Sequence, residues 1–301
     1  SADGERWLYE AYEGRTGRVV LDGQPGPEYG ALYQVGFSPT GGHFAYVAVA
    51  TTKLFMIVDG DVKPSYDGVG LSGFSPDGER FPLPSEADYA ADSFLNQTLL
   101  AARPDYGWLS EETADSPARL GHRRCFVVDP IDGTINFFHG LPHWCCSVAV
   151  RRGGVMQAGV VCAPELGLVF EATLDGPARC NGHPIRCSAL ADPSHALVLT
   201  GSDKAEDPAR AFRFFAALAR LVQRPRVLGA AALDICLVAR GAADGYFEHG
   251  IYLWDIAAAS LILERAGGTC EILARHGGYR LAFLASNGHL HAAFKTCLLG
   301  A

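Results

Sequence analysis

The pattern of apolar and polar positions divides the chain into two unlike segments. In the first, short β-rich runs such as residues 44–49 and 54–58 lie between turns that are rich in glycine, proline and aspartate. This alternation is typical of antiparallel strands. After Pro82-Leu83-Pro84, helical and β-like patterns alternate along the chain. We therefore predict an all-β segment over residues 1–81 and a second domain over residues 82–301.

Two helical stripes stand out in the second segment. A helix is predicted between an N-cap at Ser85 and the helix-breaking Pro104. Its apolar stripe consists of Ala91, Leu95, Leu99 and Ala102. A second helix is predicted to open at Asp207-Pro208. Its expected buried face consists of Phe212, Phe215, Leu218 and Val222.

Four short β-like runs complete this domain. They cover residues 147–150, 159–162, 168–173 and 196–200. Glycine-containing turns separate the first three runs, which predicts that this part of the sheet is antiparallel. Helices that alternate with strands in this way favour a layered α/β or α+β domain.

An internal repeat appears when the first segment is compared with itself at a shift of 37 residues. Asp22-Gly23 then aligns with Asp59-Gly60, and Gly36-Phe37 aligns with Gly73-Phe74. The Phe-Ser-Pro-Asp-Gly turn at residues 74–78 is similar to the repeat of WD-like or Tol-associated β-propellers. The resemblance covers two repeats and the start of a third.

Two blades are too few to close a propeller, which needs about four to eight. Unpaired strand edges invite pairing with another chain. We therefore expect a protein partner or a further domain to cover the edges of residues 1–81. This expectation supports one hypothesis for the whole chain, an inactive interaction protein that binds its partner through the repeats.

The composition of the 301 residues excludes several classes of protein. Apolar residues make up 49% of the chain, which predicts a sizeable core, and the formal charge is −8 without a basic run. This charge argues against a nucleic acid polymer or an anionic membrane as the main partner. The nine cysteines show no C-x-x-C spacing, so we expect neither a disulfide framework nor a zinc cluster. Without a signal-like or membrane-spanning run, a cytoplasmic location is expected.

The tract from Cys125 to Phe137 carries the most informative chemistry. Residues 126–128 form an apolar run, and the turn that follows bears Asp129 and Asp132. Two carboxylates that project from one loop suit magnesium, which prefers oxygen ligands. The same Asp-Pro and Asp-Gly pairs also fit a purely structural turn.

Two other acidic segments each allow both a functional and a structural interpretation. Glu111 and Glu112 form a carboxylate pair upstream of the central tract, although such pairs also occur in solvated first turns of helices. Asp255 precedes a helix of small residues that ends near Gly267. Capping of that helix alone would explain an aspartate at this position.

Taken together, these pieces resemble the signatures of a known family. The order and spacing of residues 84–88, 110–112, 129–134 and 254–255 are similar to those of the inositol monophosphatase family of magnesium-dependent, lithium-sensitive phosphatases. The resemblance continues through residues 181–185, 229–236, 244–250 and 285–287. It covers about residues 82–301.

The resemblance implies a layered sugar-phosphatase fold, an αβαβα sandwich, with two or three Mg²⁺ ions. Glu111, Asp129 and the carbonyl of Ile131 are expected to bind one ion, and Asp129, Asp132 and Asp255 a second. Two cations can polarise a phosphate ester and activate water, so no covalent nucleophile is required. A homodimer is also expected from this resemblance.

Catalytic and substrate roles follow from the same resemblance. Glu112 and Thr134 are expected to orient the attacking water, and Asp88 supports Thr134. The expected substrate-binding residues are Gly133, Thr134, Gly229, Ala231 and Glu248. The leading hypothesis is a phosphomonoesterase that acts on a small polyol or sugar phosphate, first of all inositol monophosphate. Histidinol phosphate and a 3′-phosphorylated nucleotide remain the alternative substrates.

The chain departs from the family at its beginning. Family members start with a long helix and a hairpin that carries a lysine, whereas the repeats occupy that stretch here. We expect an apolar sheet face to lose its usual cover, and activity to be affected. Among the remaining candidates, His139, His143 and Trp144 are interpreted as structural, and Asp234 as a capping or packing residue.

Overall fold

A computed structural model describes residues 1, 4–14, 16–38, 41–50, 53–66, 86–201 and 208–300. The chain divides into two compact units, residues 1–85 and 86–301. The expected junction near Phe81, the N-cap at Ser85 and the start of the third repeat lie outside the described residues. No helix in the described ranges is both long and apolar enough to cross a membrane.

The first unit consists of antiparallel strands. They are β1 (Leu8–Glu13), β2 (Thr16–Leu21), β3 (Gln24–Pro25), β4 (Ala31–Phe37), β5 (Phe44–Ala50), β6 (Lys53–Val58) and β7 (Asp61–Tyr66). One sheet has the order β1-β2-β3 and the other β4-β5-β6-β7. Val19, Leu32 and Tyr46 join side chains of both sheets in one apolar cluster.

The 37-residue repeat reappears as a repeated hairpin contact. Asp22 and Asp59 both adopt a left-handed backbone, with φ of 50° and 52°. The Asp22 carboxylate accepts a hydrogen bond from the Trp7 N–H, and Asp59 accepts one from the Phe44 N–H, both at 2.9 Å. The described strands therefore repeat one hairpin design, but they form two sheets and no closed propeller.

The second unit alternates helices and strands. Its helices are α1 (Glu86–Ala102), α2 (Thr134–Phe138), α3 (Pro208–Leu221), α4 (Ala231–Ala239), α5 (Leu253–Arg265) and α6 (His291–Leu299), with short 3-10 helices at Pro117–Gly121, Pro164–Leu166 and Pro193–His195. The longer strands are β8 (Tyr106–Ser110), β9 (Arg124–Asp132), β10 (Cys145–Arg152), β11 (Val155–Ala163) and β12 (Leu168–Thr173). The others are β13 (Arg179–Cys180), β14 (His183–Pro184), β15 (Leu197–Thr200), β16 (Arg224–Arg226), β17 (Gly245–Tyr252), β18 (Thr269–Gly277) and β19 (Arg280–Ser286).

Two mixed sheets result from these strands. The larger has the order β14-β13-β12-β11-β10-β9-β8, and the smaller has the order β16-β15-β17-β19-β18. In the larger sheet only β8 and β9 run parallel to each other. The predicted antiparallel arrangement of the runs that became β10, β11 and β12 is confirmed.

Helices α4 and α5 supply the core between the two sheets. Leu233 of α4 and Ile262 of α5 are fully buried in one cluster with Val161 of the larger sheet and Phe283 of the smaller. Helix α5 packs tightly on β11, because a Cβ added at Gly159 would lie 2.8 Å from the Ala258 carbonyl oxygen. The small residues of α5 thus allow close approach between helix and sheet.

The remaining helices cover the outer faces. Leu218 of α3 and Phe294 of α6 pack with Val198 and Phe247 of the smaller sheet. Helix α1 contacts β9 and β8 of the larger sheet. The order of layers is therefore helix, sheet, helices, sheet, helices, in agreement with the layered α/β prediction.

The predicted buried face of α3 is wrong in part. Phe212 is 73% exposed and Phe215 is 36% exposed. Phe214 packs instead on Phe247, with ring centroids 4.9 Å apart, while Leu218 and Val222 are buried as predicted. Phe212, Phe214 and Phe215 fit two overlapping apolar stripes along the helix. The stripe that contains Phe214 is the buried one, because Phe247 lies where it contacts Phe214.

Candidate active site

Parallel pairing of β8 and β9 brings the first acidic residues together. Ser110 lies beside Val128 in the register of the two strands. The Glu111 N–H then donates to the Val128 carbonyl at 3.2 Å. Asp129 follows Val128 within β9, so Glu111 and Asp129 lie side by side where β8 ends. The predicted turn at Asp129 and Asp132 is wrong, because β9 continues to Asp132 through its pairing with β10.

Three carboxylates from three elements meet at this edge. Glu111, Asp129 and Asp255 each place a carboxylate oxygen within 4.8 Å of the other two. Asp129 is 1% exposed, and its Oδ1 has no hydrogen-bond partner within the described residues. A buried oxygen without a partner needs an explanation. The all-oxygen donor set and this free oxygen suit a hard divalent cation such as Mg²⁺.

The pKa values of these carboxyls are raised. Burial, followed by the charges of the neighbouring carboxylates, raises the pKa of Asp129 and of Asp255 well above the usual range. The same causes raise the pKa of Glu111 to about 7. The raised pKa values reflect negative charge that the protein does not compensate, and a bound cation would offset that charge.

Asp132 faces a different set of partners from the three-carboxylate cluster. Its Oδ1 accepts from the Ala231 N–H at 3.0 Å and its Oδ2 from the Ala232 N–H at 2.6 Å. These N–H groups lie in the first turn of α4, where no intrahelical acceptor exists. Burial raises the pKa of Asp132 to about 6, although the hydrogen bond from Ala232 opposes this rise. The role of Asp132 as a metal ligand stays a prediction.

Asp255 combines capping with its place in the cluster. It occupies the third position of α5, where its Oδ2 accepts from the Tyr252 N–H at 2.9 Å. The helix therefore has Asp255 inside its first turn and not as the N-cap itself. Gly267, with φ of 94°, follows the C-cap Ala266 as expected for the end of this helix.

The expected catalytic group of Asp88, Glu112 and Thr134 forms a neighbouring cluster. The Thr134 hydroxyl lies 3.0 Å from the Ile131 carbonyl oxygen and within hydrogen-bond reach of the Asp88 carboxylate. Burial and the charge of Glu111 raise the pKa of Asp88 to about 7. Burial and the charges of Glu111 and Asp88 raise the pKa of Glu112 to about 8. The three side chains therefore share one electrostatic environment.

Gly133, Gly229 and Ala231 line the approach to α2. Gly133 adopts φ of 91°, and a Cβ there would lie 3.1 Å from the Gly229 carbonyl oxygen. Gly229 also adopts a left-handed backbone, with φ of 89°. A Cβ at Gly133 would also lie 2.9 Å from the Ala230 Cβ, so the segment that leads from Gly229 to Ala231 is held close to Gly133.

Glu248 reaches toward the same region from β17. Its carboxylate accepts a hydrogen bond from the Tyr246 hydroxyl. A Cβ added at Gly201 would overlap that carboxylate, so this position accommodates glycine alone without rearrangement. The charge of Glu248 is also among the causes that raise the pKa of Asp255. Glu248 is therefore close enough to affect the carboxylate cluster.

Several structural partners of the site were not singled out as functional from the sequence. His143 Nε2 lies 2.7 Å from Asp234 Oδ1, which agrees with a structural role for both residues. The Asn136 side-chain amide donates to the carbonyls of His143 and Leu228, both at 2.7 Å. Asp92 accepts hydrogen bonds from two hydroxyls next to Glu111 and Glu112. Only its position one helical turn after Asp88 could have drawn attention to Asp92.

Comparison with known proteins gives consistent matches. The model of the inositol monophosphatase family matches residues 80–299. The chain is 35% identical over 217 residues to inositol-1-monophosphatase of Rhizobium meliloti, which covers 70% of this chain and 80% of the relative. It is 34% identical over 194 residues to human inositol monophosphatase 2, covering 62% of this chain and 67% of the relative.

A solved structure shows the same fold. The inositol monophosphatase from Anabaena superimposes with a TM-score of 0.67 and 31% sequence identity. The superposition covers 71% of this chain and 86% of that protein. The second unit of the chain contains residues 86–299 of the range that the family model matches.

Proposed function

This chain belongs to the inositol monophosphatase family, and from that premise we propose that it is a magnesium-dependent phosphoric monoester hydrolase. Its proposed substrate is a small polyol phosphate, with inositol monophosphate as the first candidate. The observation that carries the proposal is the cluster of Glu111, Asp129 and Asp255 around the buried Asp129 with its unpartnered oxygen. The names of the relatives support the choice of substrate.

In this proposal Glu111, Asp129 and the Ile131 carbonyl hold one Mg²⁺, and Asp129, Asp132 and Asp255 hold a second. A third ion is the alternative. When bound, Mg²⁺ offsets the carboxylate charge, polarises the phosphate ester and lowers the pKa of water. The hydrogen bonds from Ala231 and Ala232 orient Asp132. Its Oδ2 also accepts from the Cys145 thiol at 3.5 Å, so Oδ1 is the oxygen that keeps a lone pair for a cation.

Side chains beside the cluster accept the proton of the attacking water and orient that water. Glu112 accepts that proton, since its raised pKa brings proton exchange close to neutral pH. The Thr134 hydroxyl orients the water from the other side. Asp88 supports Thr134 from within hydrogen-bond reach of its hydroxyl, whose proton is directed to the Ile131 carbonyl.

Substrate recognition is assigned to groups on both sides of the cluster. The backbone amides of Gly133 and Thr134, at the start of α2, bind phosphate oxygens. Gly229 and Ala231 form a wall that leaves room for the substrate, and Glu248 accepts hydrogen bonds from polyol hydroxyls. Such hydroxyl contacts favour inositol phosphate over histidinol phosphate and 3′-phosphorylated nucleotides.

Phosphate release by the purified full chain tests this function. The assay compares inositol 1-phosphate, histidinol phosphate, a 3′-phosphorylated nucleotide and a sugar phosphate, each with Mg²⁺ and with excess chelator. We expect Mg²⁺-dependent release that is fastest with inositol 1-phosphate. Release from none of these esters would refute the hydrolase, whereas preference for another ester would refute the substrate assignment alone.

The remaining family traits complete the proposal. Lithium inhibits the enzyme, the enzyme acts in the cytoplasm, and two copies form a homodimer. Residues 1–81 are related to WD-like propeller repeats and bind a protein partner through their strand edges. The repeated Asp22 and Asp59 hairpin contacts support a common repeat unit. Light scattering of the full chain tests the dimer, and a monomeric mass at micromolar concentration would refute it.

A further inference from the structure

Asp92 is a buried acid next to the candidate site. It lies on α1, four residues after Asp88, and is 6% exposed. Its Oδ1 accepts a hydrogen bond from the Ser110 hydroxyl, and its Oδ2 accepts one from the Thr113 hydroxyl at 2.5 Å. Both carboxylate oxygens are thus used by separate donors.

The two donors stand on either side of Glu111 and Glu112. Ser110 is the last residue of β8, and Thr113 follows Glu112 in the turn. A single carboxylate on α1 therefore closes the four-residue segment whose central residues are the acidic pair. The N–H of Glu111 still donates to β9, at Val128, whereas beyond Glu111 the chain has left strand geometry.

An acid at this place has an electrostatic cost. The charge of Asp92 is one of the causes that raise the pKa of Glu112, together with the charges of Glu111 and Asp88. A neutral side chain would avoid this repulsion. Only a carboxylate, however, offers two acceptor oxygens without a donor, and its bonds to hydroxyls are stronger than bonds between neutral groups.

We propose that Asp92 is a positioning residue for this reaction: through Ser110 and Thr113 it fixes the turn that presents Glu111 and Glu112. Asp92 itself contacts neither substrate nor cation. The inference rests on the proposed function, because it assigns a purpose to the geometry of the acidic pair. Partners that orient metal ligands commonly change cation affinity by about 10–100-fold when they are removed.

Matched variants of Thr113 give the sharpest test. Thr113→Val removes the hydroxyl at nearly constant shape, whereas Thr113→Ser retains it. We expect Thr113→Val to raise the Mg²⁺ concentration for half-maximal activity by about 10-fold, and Thr113→Ser to restore the wild-type value. Asp92→Asn, which keeps one acceptor oxygen, should also raise the Mg²⁺ concentration for half-maximal activity. Ser93→Ala on the exposed face of α1 serves as the control.

A double-variant comparison separates positioning from simple stability. Because Asp92→Ala removes the oxygen that accepts from Thr113, its double variant with Thr113→Val should shift the Mg²⁺ requirement no more than Asp92→Ala alone. Wild-type Mg²⁺ requirement in Thr113→Val, or fully additive shifts, would overturn the inference. If Asp92→Ala fails to fold, Thr113→Val alone decides.

Cation binding can also be measured independently of catalysis, as the rise in melting temperature when Mg²⁺ is added to the full chain. Thr113→Val should need about 10-fold more Mg²⁺ for the half-maximal rise. If the wild-type protein is inactive but Thr113→Val still needs more Mg²⁺ than the wild-type protein for the half-maximal rise, the proposed hydrolase is refuted and the positioning role of Asp92 is supported. An unchanged titration would overturn that role whatever the activity.

Discussion

In the first turn of α5, Asp255 accepts a hydrogen bond from the Tyr252 N–H and also belongs to the three-carboxylate cluster. Asp255 therefore stabilises the start of α5 and belongs to the candidate metal site at the same time. The hydrogen bond fixes the carboxylate relative to the helix axis, which limits the rotamers available to it. A ligand whose geometry is set in advance loses less conformational freedom when it binds a cation.

A substitution at Gly201 tests the role of Glu248 in substrate recognition. Gly201→Ala would place a methyl group in the space of the Glu248 carboxylate, so Glu248 must move. We expect the KM for inositol 1-phosphate to rise about 10-fold, as for a lost hydrogen bond to a charged group. The kcat should change less, because the cluster and Glu112 remain in place. Steady-state kinetics measure this split.

Gly121→Ala is a suitable control, because a Cβ at Gly121 would meet no atom within 4 Å. It should leave both constants near their wild-type values. A Gly201→Ala protein with unchanged KM for inositol 1-phosphate would contradict the assignment of Glu248 to hydroxyl recognition.

At the scale of elements, the site depends on how closely α5 approaches β11. A Cβ at Gly159 would lie 2.8 Å from the Ala258 carbonyl oxygen and 2.9 Å from the Ala258 Cα. Both obstacles are backbone atoms, so the helix itself must shift. Because Asp255 is carried on this helix, a shift would also disturb the carboxylate cluster.

Gly159→Ala should therefore lower the free energy of unfolding by about 1–3 kcal/mol, the usual cost of overpacking a core. Urea unfolding measures the change, with Gly121→Ala as the control. Equal stability of Gly159→Ala and the wild-type protein would show that α5 and β11 are not packed as closely as described.

The limits of sequence interpretation also appear at this scale. Helix α1 and strands β10 to β12 could be predicted because each has a clear period and is bounded by turns. The buried face of α3 could not, since Phe212, Phe214 and Phe215 satisfy two stripes and distant Phe247 decides between them. Local patterns do not encode such distant contacts.

The same distinction applies to the site. Acidic tracts and the family resemblance led to Glu111, Asp129 and Asp255, which the fold brings together. The contact of Asp92 with Ser110 and Thr113 joins residues 18 and 21 positions apart, and the pair of His143 with Asp234 spans 91 positions. Pairs at these separations become visible only in the folded chain.

At the scale of the whole molecule, the acidic cluster links stability to pH and to cations. The raised pKa values of Asp129, Asp255 and Glu111 exceed those of an unfolded chain, which lie near 4. Between about pH 4 and pH 7 the folded state therefore holds more protons than the unfolded state. Its free energy of unfolding should fall as pH rises through this window.

Melting temperatures at pH 5 and pH 8 test this relation. With chelator present, we expect the wild-type protein to melt at a lower temperature at pH 8 than at pH 5, and Asp129→Asn to show a smaller decline. Added Mg²⁺ should stabilise the wild-type protein more at pH 8, because deprotonated carboxylates bind it better. A melting temperature that rises from pH 5 to pH 8 in chelator would contradict the predicted linkage.

The most direct test of the central claim is the rate of phosphate release from inositol 1-phosphate as Mg²⁺ is titrated into the full chain and its Asp129→Asn variant. Asp129 is the buried member of the cluster, and its unpartnered oxygen should contact the cation. We expect saturable, Mg²⁺-dependent release by the wild-type protein and by the Ser93→Ala control. Asp129→Asn should lose at least about 100-fold in rate, the order of a removed catalytic charge, while circular dichroism shows a folded protein. Equal rates for Asp129→Asn and the wild-type protein would contradict the claim.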